Sequence, residues 1–406
     1  MAEIHRLNVF FQGADGHLIE AYWEIDGDWH WGKPHGLTPG NTRMVSAPAA
    51  ISWDSGNQGW ELSVFFQGSN GELIERHWDP VAGNWLWSNR HGLPPDGTQM
   101  ASAPAAIVRP EQDQINFHVF FMGANGQLYE RFRGGGQQWQ WEEHGLPPNG
   151  AWMASAPAAI AWHNQDGIPQ QDVFFEGSNG ELIEHYWNSQ EWQWINHGLP
   201  PDTYMASAPA AIVTKTREGV PSRHVFLVGA NGELYERWTA EGLEPWQWNR
   251  LGLPPGDTQM VSAPAAVSWD VQGTPAMNVF CQGGNGQLVG IYWDDQQAWK
   301  WGNPDAPEGF DPDGTHMASA PAAIAWDSWW QNVFYQGANG ALIEAFWQDA
   351  GVEGDWAWGK RHGTPPGTFM ASAAAIVHWI IVAPDPGVPN GNGNCPNGNG
   401  PPPPEC

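Results

Sequence analysis

The chain has 406 residues, among them 29 Trp, 50 Gly and 35 Pro, and only 15% of its residues are charged. That profile suits many short apolar elements separated by turns, whereas a helical bundle would need more Leu, Lys and Glu. Sixteen basic against 44 acidic side chains leave a formal net charge of −28, which repels phosphate backbones and anionic lipid, so the partners expected are neutral and not nucleic acid. With no run of about 18 apolar residues, no membrane insertion is expected.

The N-terminal Met1-Ala2-Glu3-Ile4-His5-Arg6 lacks the basic-then-apolar pattern of a secretory leader. Cytoplasmic synthesis is therefore the expectation, with non-classical release left open. Cys281, Cys395 and Cys406 are the three cysteines, too few for a disulfide framework.

Leu7-Asn8-Val9-Phe10-Phe11-Gln12 reads as a strand bounded by turn residues. Asp15-Gly16 follows, and the turn recurs as Asn70-Gly71, Asn125-Gly126, Asn179-Gly180, Asn231-Gly232, Asn285-Gly286 and Asn339-Gly340. Both residues of such a pair tolerate positive φ, so seven type I′ hairpins are predicted. A second strand comes next, as in Glu72 to Trp78, with Leu73, Glu75 and His77 on one side and Ile74, Arg76 and Trp78 on the other. A variable loop then leads to a Trp-x-Trp strand: Trp29/Trp31, Trp85/Trp87, Trp139/Trp141, Trp192/Trp194, Trp246/Trp248, Trp299/Trp301 and Trp356/Trp358.

A Pro-rich connection such as His91-Gly92-Leu93-Pro94-Pro95 precedes the most regular element, Met100-Ala101-Ser102-Ala103-Pro104-Ala105-Ala106-Ile107. Its serine returns as Ser46, Ser155, Ser207, Ser262, Ser319 and Ser372, with gaps of 56, 53, 52, 55, 57 and 53 residues. Seven copies of a four-stranded unit predict an all-β, seven-bladed β-propeller over residues 1–382. The alanine-rich strand is expected innermost, with small side chains at the axis and its proline on a sheet edge. The seventh copy has no Phe-x-Gly strand after it and the first has no Ala-rich strand before it. Pairing the two chain ends would close the ring and remove its free edges. Residues 383–406, rich in Pro, Gly and Asn, are expected to form a disordered tail, and pairing of Cys395 with Cys406 is left open.

The recurring polar residues are the candidates for function. Glu20, Glu75, Glu130, Glu184, Glu236 and Glu344 hold one position in the second strand, with Gly290 in the sixth repeat. A carboxylate among Leu and Trp needs partners, either in a blade-to-blade hydrogen bond or in a ligand's hydroxyls. His35, His91, His144, His197 and His362 precede glycine in the connection, spread around the ring so that they cannot converge on one ion; no metal and no cofactor is expected. Most indoles must be core, yet those beside Pro/Gly loops can offer a face to the C–H side of a sugar. Enzymatic glycoside hydrolysis needs two carboxylates about 5–10 Å apart, and glutamates in separate blades are expected to lie farther apart.

Ser102-Ala103-Pro104-Ala105-Ala106, Phe120-Phe121-Met122-Gly123-Ala124-Asn125-Gly126-Gln127-Leu128 and Trp139-Gln140-Trp141 together resemble a unit of the Photorhabdus-type seven-bladed propeller lectins, and the resemblance spans residues 7 to 380. It implies a multivalent, non-enzymatic carbohydrate-binding protein with metal-free pockets between blades for fucose or a related, O-methylated sugar. A protein-interaction platform is the alternative, against which the long period and the missing Trp-Asp signature count. A homo-oligomer is left open. That family carries His followed by Arg where this chain has Glu; Arg persists at Arg76, Arg131 and Arg237. Sorted repeat by repeat, the full set falls on Glu20, Trp23, Trp29, Trp31 and His35; Glu75, Trp78, Trp85, Trp87 and His91; Glu184, Trp187, Trp192, Trp194 and His197; and Glu344, Trp347, Trp356, Trp358 and His362. The fifth and sixth repeats are expected to bind least.

Overall fold

A computed structural model describes residues 3–24, 28–38, 40–56, 59–87, 91–111, 114–240, 245–271, 273–293, 298–302, 314–327, 330–348, 355–358 and 362–382. The tail from residue 383, with Cys395 and Cys406, lies outside the described residues. The strands form seven four-stranded antiparallel sheets. The second blade is β4 (Ala49–Asp54), β5 (Trp60–Gln67), β6 (Leu73–Asp79) and β7 (Asn84–Trp87), in that order across the sheet. The third is β8 (Ala105–Glu111) to β11 (Gln140–Gly145), the fourth β12 (Ala158–His163) to β15 (Trp192–Gly198), and the fifth β16 (Ala210–Lys215) to β19 (Gln247–Gly252). The sixth runs from β20 (Ala265–Val271) to β23 (Trp299–Trp301), and the seventh from β24 (Ala322–Asp327) to β27 (Asp355–Trp358).

The first blade joins both ends of the chain. Its order is β28 (Ala375–Val382), β1 (Glu3–Gln12), β2 (Leu18–Glu24) and β3 (His30–Trp31), and the β1–β28 register runs from Glu3↔Val382 to Phe10↔Ala375. The first strands of successive blades, β28, β4, β8, β12, β16, β20 and β24, touch one another in a closed circuit. The alanine-rich strands therefore surround the axis, and Ala50, Ser52, Ala106, Val108, Ala161, Ile324 and His378 line a cavity there. The ring is closed.

The prolines depart from the sequence expectation. They do not sit on a strand edge; β4 starts at Ala49, after Pro48, and β8 at Ala105, after Pro104. They rigidify the approach to the strand. The serine before each ties two backbone segments together. Ser46 Oγ donates to the Ala47 carbonyl at 2.8 Å and accepts the Gln67 amide at 3.0 Å. The same pair of bonds recurs at Ser102, Ser155, Ser207, Ser262, Ser319 and Ser372. With donor and acceptor both used, the serine is scaffold.

Blades are hooked to one another through the turns. The Met100 amide donates to the Gly71 carbonyl at 2.9 Å, which brings Gln99 onto the hairpin turn. Gly71 has φ +80°, and a Cβ there would lie 2.6 Å from Gln99 Cβ, so only glycine fits. Apolar cores bridge adjacent blades: Ile51, Trp53 and Phe65 of the second pack with Phe117, Val119 and Tyr129 of the third. Each fully buried Phe in such a contact, Phe65 among them, contributes roughly 1.5–3 kcal/mol of transfer free energy.

Candidate functional site in the clefts between blades

Strand alternation sends the residues of each blade's third strand in opposite directions. Glu75 faces forward, toward the third blade, and Arg76 and Trp78 face back toward the first. Each cleft is thus built from two repeats. Between the first and second blades it is a cavity of about 600 Å³, lined from one side by Asn8, Glu20, Tyr22 and His35 and from the other by Leu62, Arg76, Trp78 and Trp85, with Trp379 of the innermost strand.

Glu20 is buried, and Asn8 Nδ2 donates to its Oε1 while Trp379 Nε1 donates to Asn8 Oδ1 at 2.6 Å. His35 Nε2 stands 3.3 Å from Glu20 Oε2, within ion-pair range but not aligned as a hydrogen bond. On the other ring nitrogen, His35 Nδ1 accepts from Arg76 Nε of the next blade at 3.3 Å. Burial lowers the Arg76 pKa to about 10, with the Glu20 charge working against the shift, so the guanidinium remains charged. It lies over the Trp87 ring at 4.5 Å, while Trp85 meets the His35 ring edge-on at 5.1 Å and Trp78 leans on Trp85 at 5.8 Å. A carboxylate, a guanidinium and two indole walls share one opening.

The arrangement repeats with variations. Glu75 receives Ser63 Oγ at 2.6 Å and His91 Nε2 at 3.1 Å, and Arg131 Nε donates to His91 Nδ1 at 3.3 Å. Trp139 covers His91 at 4.7 Å, but Arg133 replaces the strand-end indole and lies over Trp139 at 5.3 Å. Between the third and fourth blades, Glu130 is bonded by His118 Nδ1 and by His144 Nε2 at 3.0 Å, His185 takes the place of Arg against His144 Nδ1 at 3.0 Å, and Trp192 covers His144 at 4.6 Å. Burial would raise the Glu130 pKa, but the hydrogen bonds from His118 and His144 outweigh it and hold the group at about 2. Desolvation, helped by His144, lowers His185 to about 3, so its imidazole is neutral. Trp187 stands 5.8 Å from Trp192.

Glu184 is bonded by His197 Nε2 at 2.8 Å, and Trp246 covers that histidine at 4.7 Å. At the closure, Glu344 receives Asn332 Nδ2 at 2.7 Å and His362 Nε2 at 3.0 Å, Trp29 of the first blade covers His362 at 4.6 Å, and Trp23 packs against Trp326 at 6.0 Å. Trp347 and Trp356 face the sixth blade, where Gly290 replaces the carboxylate and Phe280 meets Trp356 at 5.2 Å. The second indoles of the pairs pack inside their own blades instead: Trp31 on Phe11, Trp87 on Phe66, Trp194 on Phe175 and Trp358 on Tyr335.

The structure therefore brings together Glu and His of one repeat with the strand-end Trp and first Trp of the next. The repeat-by-repeat grouping is redrawn: complete sets stand at Glu20–His35–Trp78–Trp85, Glu130–His144–Trp187–Trp192 and Glu344–His362–Trp23–Trp29. The fifth repeat, expected among the weakest, still forms a cavity of about 360 Å³ with the sixth, lined by His224, Glu236, Trp238, Asn249 and Trp293. Sequence reasoning missed the residue that orients each glutamate. Asn8, Ser63, His118, His224 and Asn332 each stand 12 residues before it, directly ahead of a Val-Phe pair, and bond its Oε1, while Asp172 holds that place before Glu184. That constant spacing was the available signal.

Glu130, Glu142 and His144 offer three ligand atoms within 4.8 Å of one another. Both nitrogens of His144 are engaged, with Glu130 and His185, so the trio is built as a hydrogen-bonded network rather than an open coordination site.

The sequence profile described as fungal fucose-specific lectin matches residues 2–202. Over those residues the chain is similar to that family. Its propeller carries one blade more than that of the fungal relative. The fucose-specific lectin of Aleuria aurantia is 22% identical over 307 residues, covering 72% of this chain and 88% of that protein. The solved Aleuria aurantia lectin, a six-bladed propeller, superposes with a TM-score of 0.53 at 20% identity, over 80% of this chain and 99% of that one. The BP39L lectin of Burkholderia pseudomallei gives a TM-score of 0.65 at 20% identity, over 90% of this chain and 95% of that one. At such identities the superpositions establish the fold of this chain. Among its described residues no helix is long and apolar enough to cross a membrane.

Proposed function

We propose that the chain binds L-fucose, or a related neutral sugar, in the clefts between neighbouring blades. The observation that carries this reading is the first–second cleft, where Glu20 and Arg76 face one opening walled by Trp78 and Trp85. A neutral sugar has hydroxyls that pair with a carboxylate and a guanidinium, and a C–H face that lies against an indole. An Aleuria aurantia lectin solved with α-methyl-L-fucoside supports the choice of sugar. Cleft composition favours three strong sites, at the first–second, third–fourth and seventh–first interfaces, with the weaker clefts between them. Several weak sites on one rigid ring raise avidity for a multivalent glycan surface by roughly 10²–10⁴.

Titration calorimetry with methyl α-L-fucoside and a glycan array test the proposal together. The expected result is more than one equivalent per chain, with one equivalent lost in E20Q and in W85A. Absence of binding to any fucosylated glycan, or stoichiometry unchanged in both variants, would refute it.

A further inference from the structure

We infer that the cleft between the fourth and fifth blades is a sugar pocket closed by the chain's own guanidinium, that of Arg223. This rests on the lectin reading, and it concerns one cleft whose chemistry differs from the others.

Position by position, this cleft repeats the first–second one. Glu184 corresponds to Glu20, His197 to His35, Arg237 to Arg76, Trp246 to Trp85 and Trp162 to Trp379. Three positions differ. Arg223 stands where Leu62 does, Thr239 where Trp78 does, and Asp172 where Asn8 does. In the first–second cleft, Leu62, Trp85 and Trp379 line open space. Here the Arg223 guanidinium lies over Trp162 at 4.8 Å and over Trp246 at 4.7 Å, the two corresponding indoles. Its Nη1 is 3.3 Å from Asp172 Oδ2 and 3.4 Å from Glu184 Oε1, the carboxylate equivalent to the proposed sugar-binding one. A planar group between aromatic faces with hydrogen bonds to the carboxylate is how a bound ligand would sit.

The substitutions support one another. An arginine between two indoles needs counter-charge in a buried place, and Asp172 adds a second carboxylate to Glu184, both with essentially no exposed side chain. Trp162 Nε1 donates to Asp172 Oδ2 at 2.9 Å, as Trp379 does to Asn8, so the change from amide to acid keeps the inner bond and supplies a carboxyl whose pKa burial raises and the Arg223 charge pulls back down. Thr239 is small and buried where an indole would otherwise stand. The ring therefore carries a cleft that keeps its carboxylate, its histidine and its first indole, and whose ligand is internal.

The test converts this cleft to the first–second set and asks whether it opens. The triple variant R223L, D172N and T239W removes the guanidinium and its extra counter-charge and restores the missing wall, so no buried charge is stranded. Calorimetry with methyl α-L-fucoside should show one equivalent more than the parent chain. In parallel, R223A is melted with and without methylguanidinium, which should raise its melting temperature by several degrees and leave the parent chain unmoved, because the probe refills the space between Trp162 and Trp246. An unchanged equivalent count in a folded triple variant, with no methylguanidinium effect on R223A, overturns the inference. If the parent chain binds no fucoside at all, the lectin reading fails, and the methylguanidinium melt alone decides whether Arg223 fills a ligand-sized pocket.

Discussion

Arg76 Nε donates to His35 Nδ1 across 3.3 Å, from the second blade to the first. A nitrogen that accepts a hydrogen bond carries no proton, so His35 holds its proton on Nε2, the atom facing Glu20. The arginine thereby sets the orientation of a group on the far wall of the cleft. Replacing it by leucine should weaken fucoside binding at that cleft about tenfold, roughly 1.4 kcal/mol. Lysine should not rescue it, because an ammonium lacks the planar fork that reaches His35 while covering Trp87. Calorimetry on R76L and R76K, with melting curves as a folding control, checks this. With its pKa at about 10, Arg76 keeps its charge at neutral pH, so loss of binding between about pH 6 and 9 would have to come from another group.

Glu130 makes the third–fourth cleft acid-sensitive. Its folded pKa of about 2 lies below the ordinary carboxylate value, so the group contributes stability that is fully present above about pH 4.5 and lost as pH falls toward 2. A shift of that size corresponds to about 3 kcal/mol. Denaturant melts of the parent and of E130Q should differ most at neutral pH and converge in acid. A constant difference across that window would remove Glu130 from the account.

Glu176 predicts the opposite slope. Gln12, Gln67, Gln282 and Gln336 each donate Nε2 to the carbonyl of the methionine that opens the next repeat, at 2.6–2.7 Å. Glu176 occupies that place in the fourth blade, and burial raises its pKa to about 7. A raised carboxyl favours the folded state only while protonated, so stability should fall as pH rises from about 4.5 through 7. E176Q should be the more stable protein at pH 8, by about 1 kcal/mol for the restored bond, and the gain should shrink by pH 5. Paired melts at the two pH values measure it.

The serine of the Ser-Ala-Pro element should matter for stability alone. Removing Ser102 Oγ strands the Met122 amide, so S102A should cost about 1–2 kcal/mol. Its fucoside affinity should match the parent, and a selective loss of one binding equivalent would instead place the serine in a site.

The ring was legible from periodicity, because Asn-Gly turns, Trp-x-Trp pairs and serines recur at a nearly fixed spacing that only a repeated sheet explains. The cleft was not legible to the same degree. A sequence repeat runs from one inner strand to the next, but strand alternation sends Glu75 forward and Trp78 back, so the functional unit is offset by half a repeat. Sorting residues by repeat therefore paired Glu20 with Trp23, when the structure pairs it with Trp78 and Trp85. Arg223 shows a second limit. Nothing in its sequence neighbourhood marks a guanidinium as filling a pocket, since Trp162, Asp172, Glu184 and Trp246 that hold it are spread over four strands or strand ends.

The pairing of β28 with β1 has a consequence for one cleft. The first–second cleft takes Asn8 and Glu20 from β1 and β2 and Trp379 from β28, with the Trp379 indole bonded to Asn8. Without β28, Asn8 would hold Glu20 but lack the Trp379 bond that fixes it, beside an unpaired edge of β1. Recognition at this cleft as it stands needs β28 in place, whereas the third–fourth cleft, built on Glu130, His144 and Trp192, draws nothing from the closing strand.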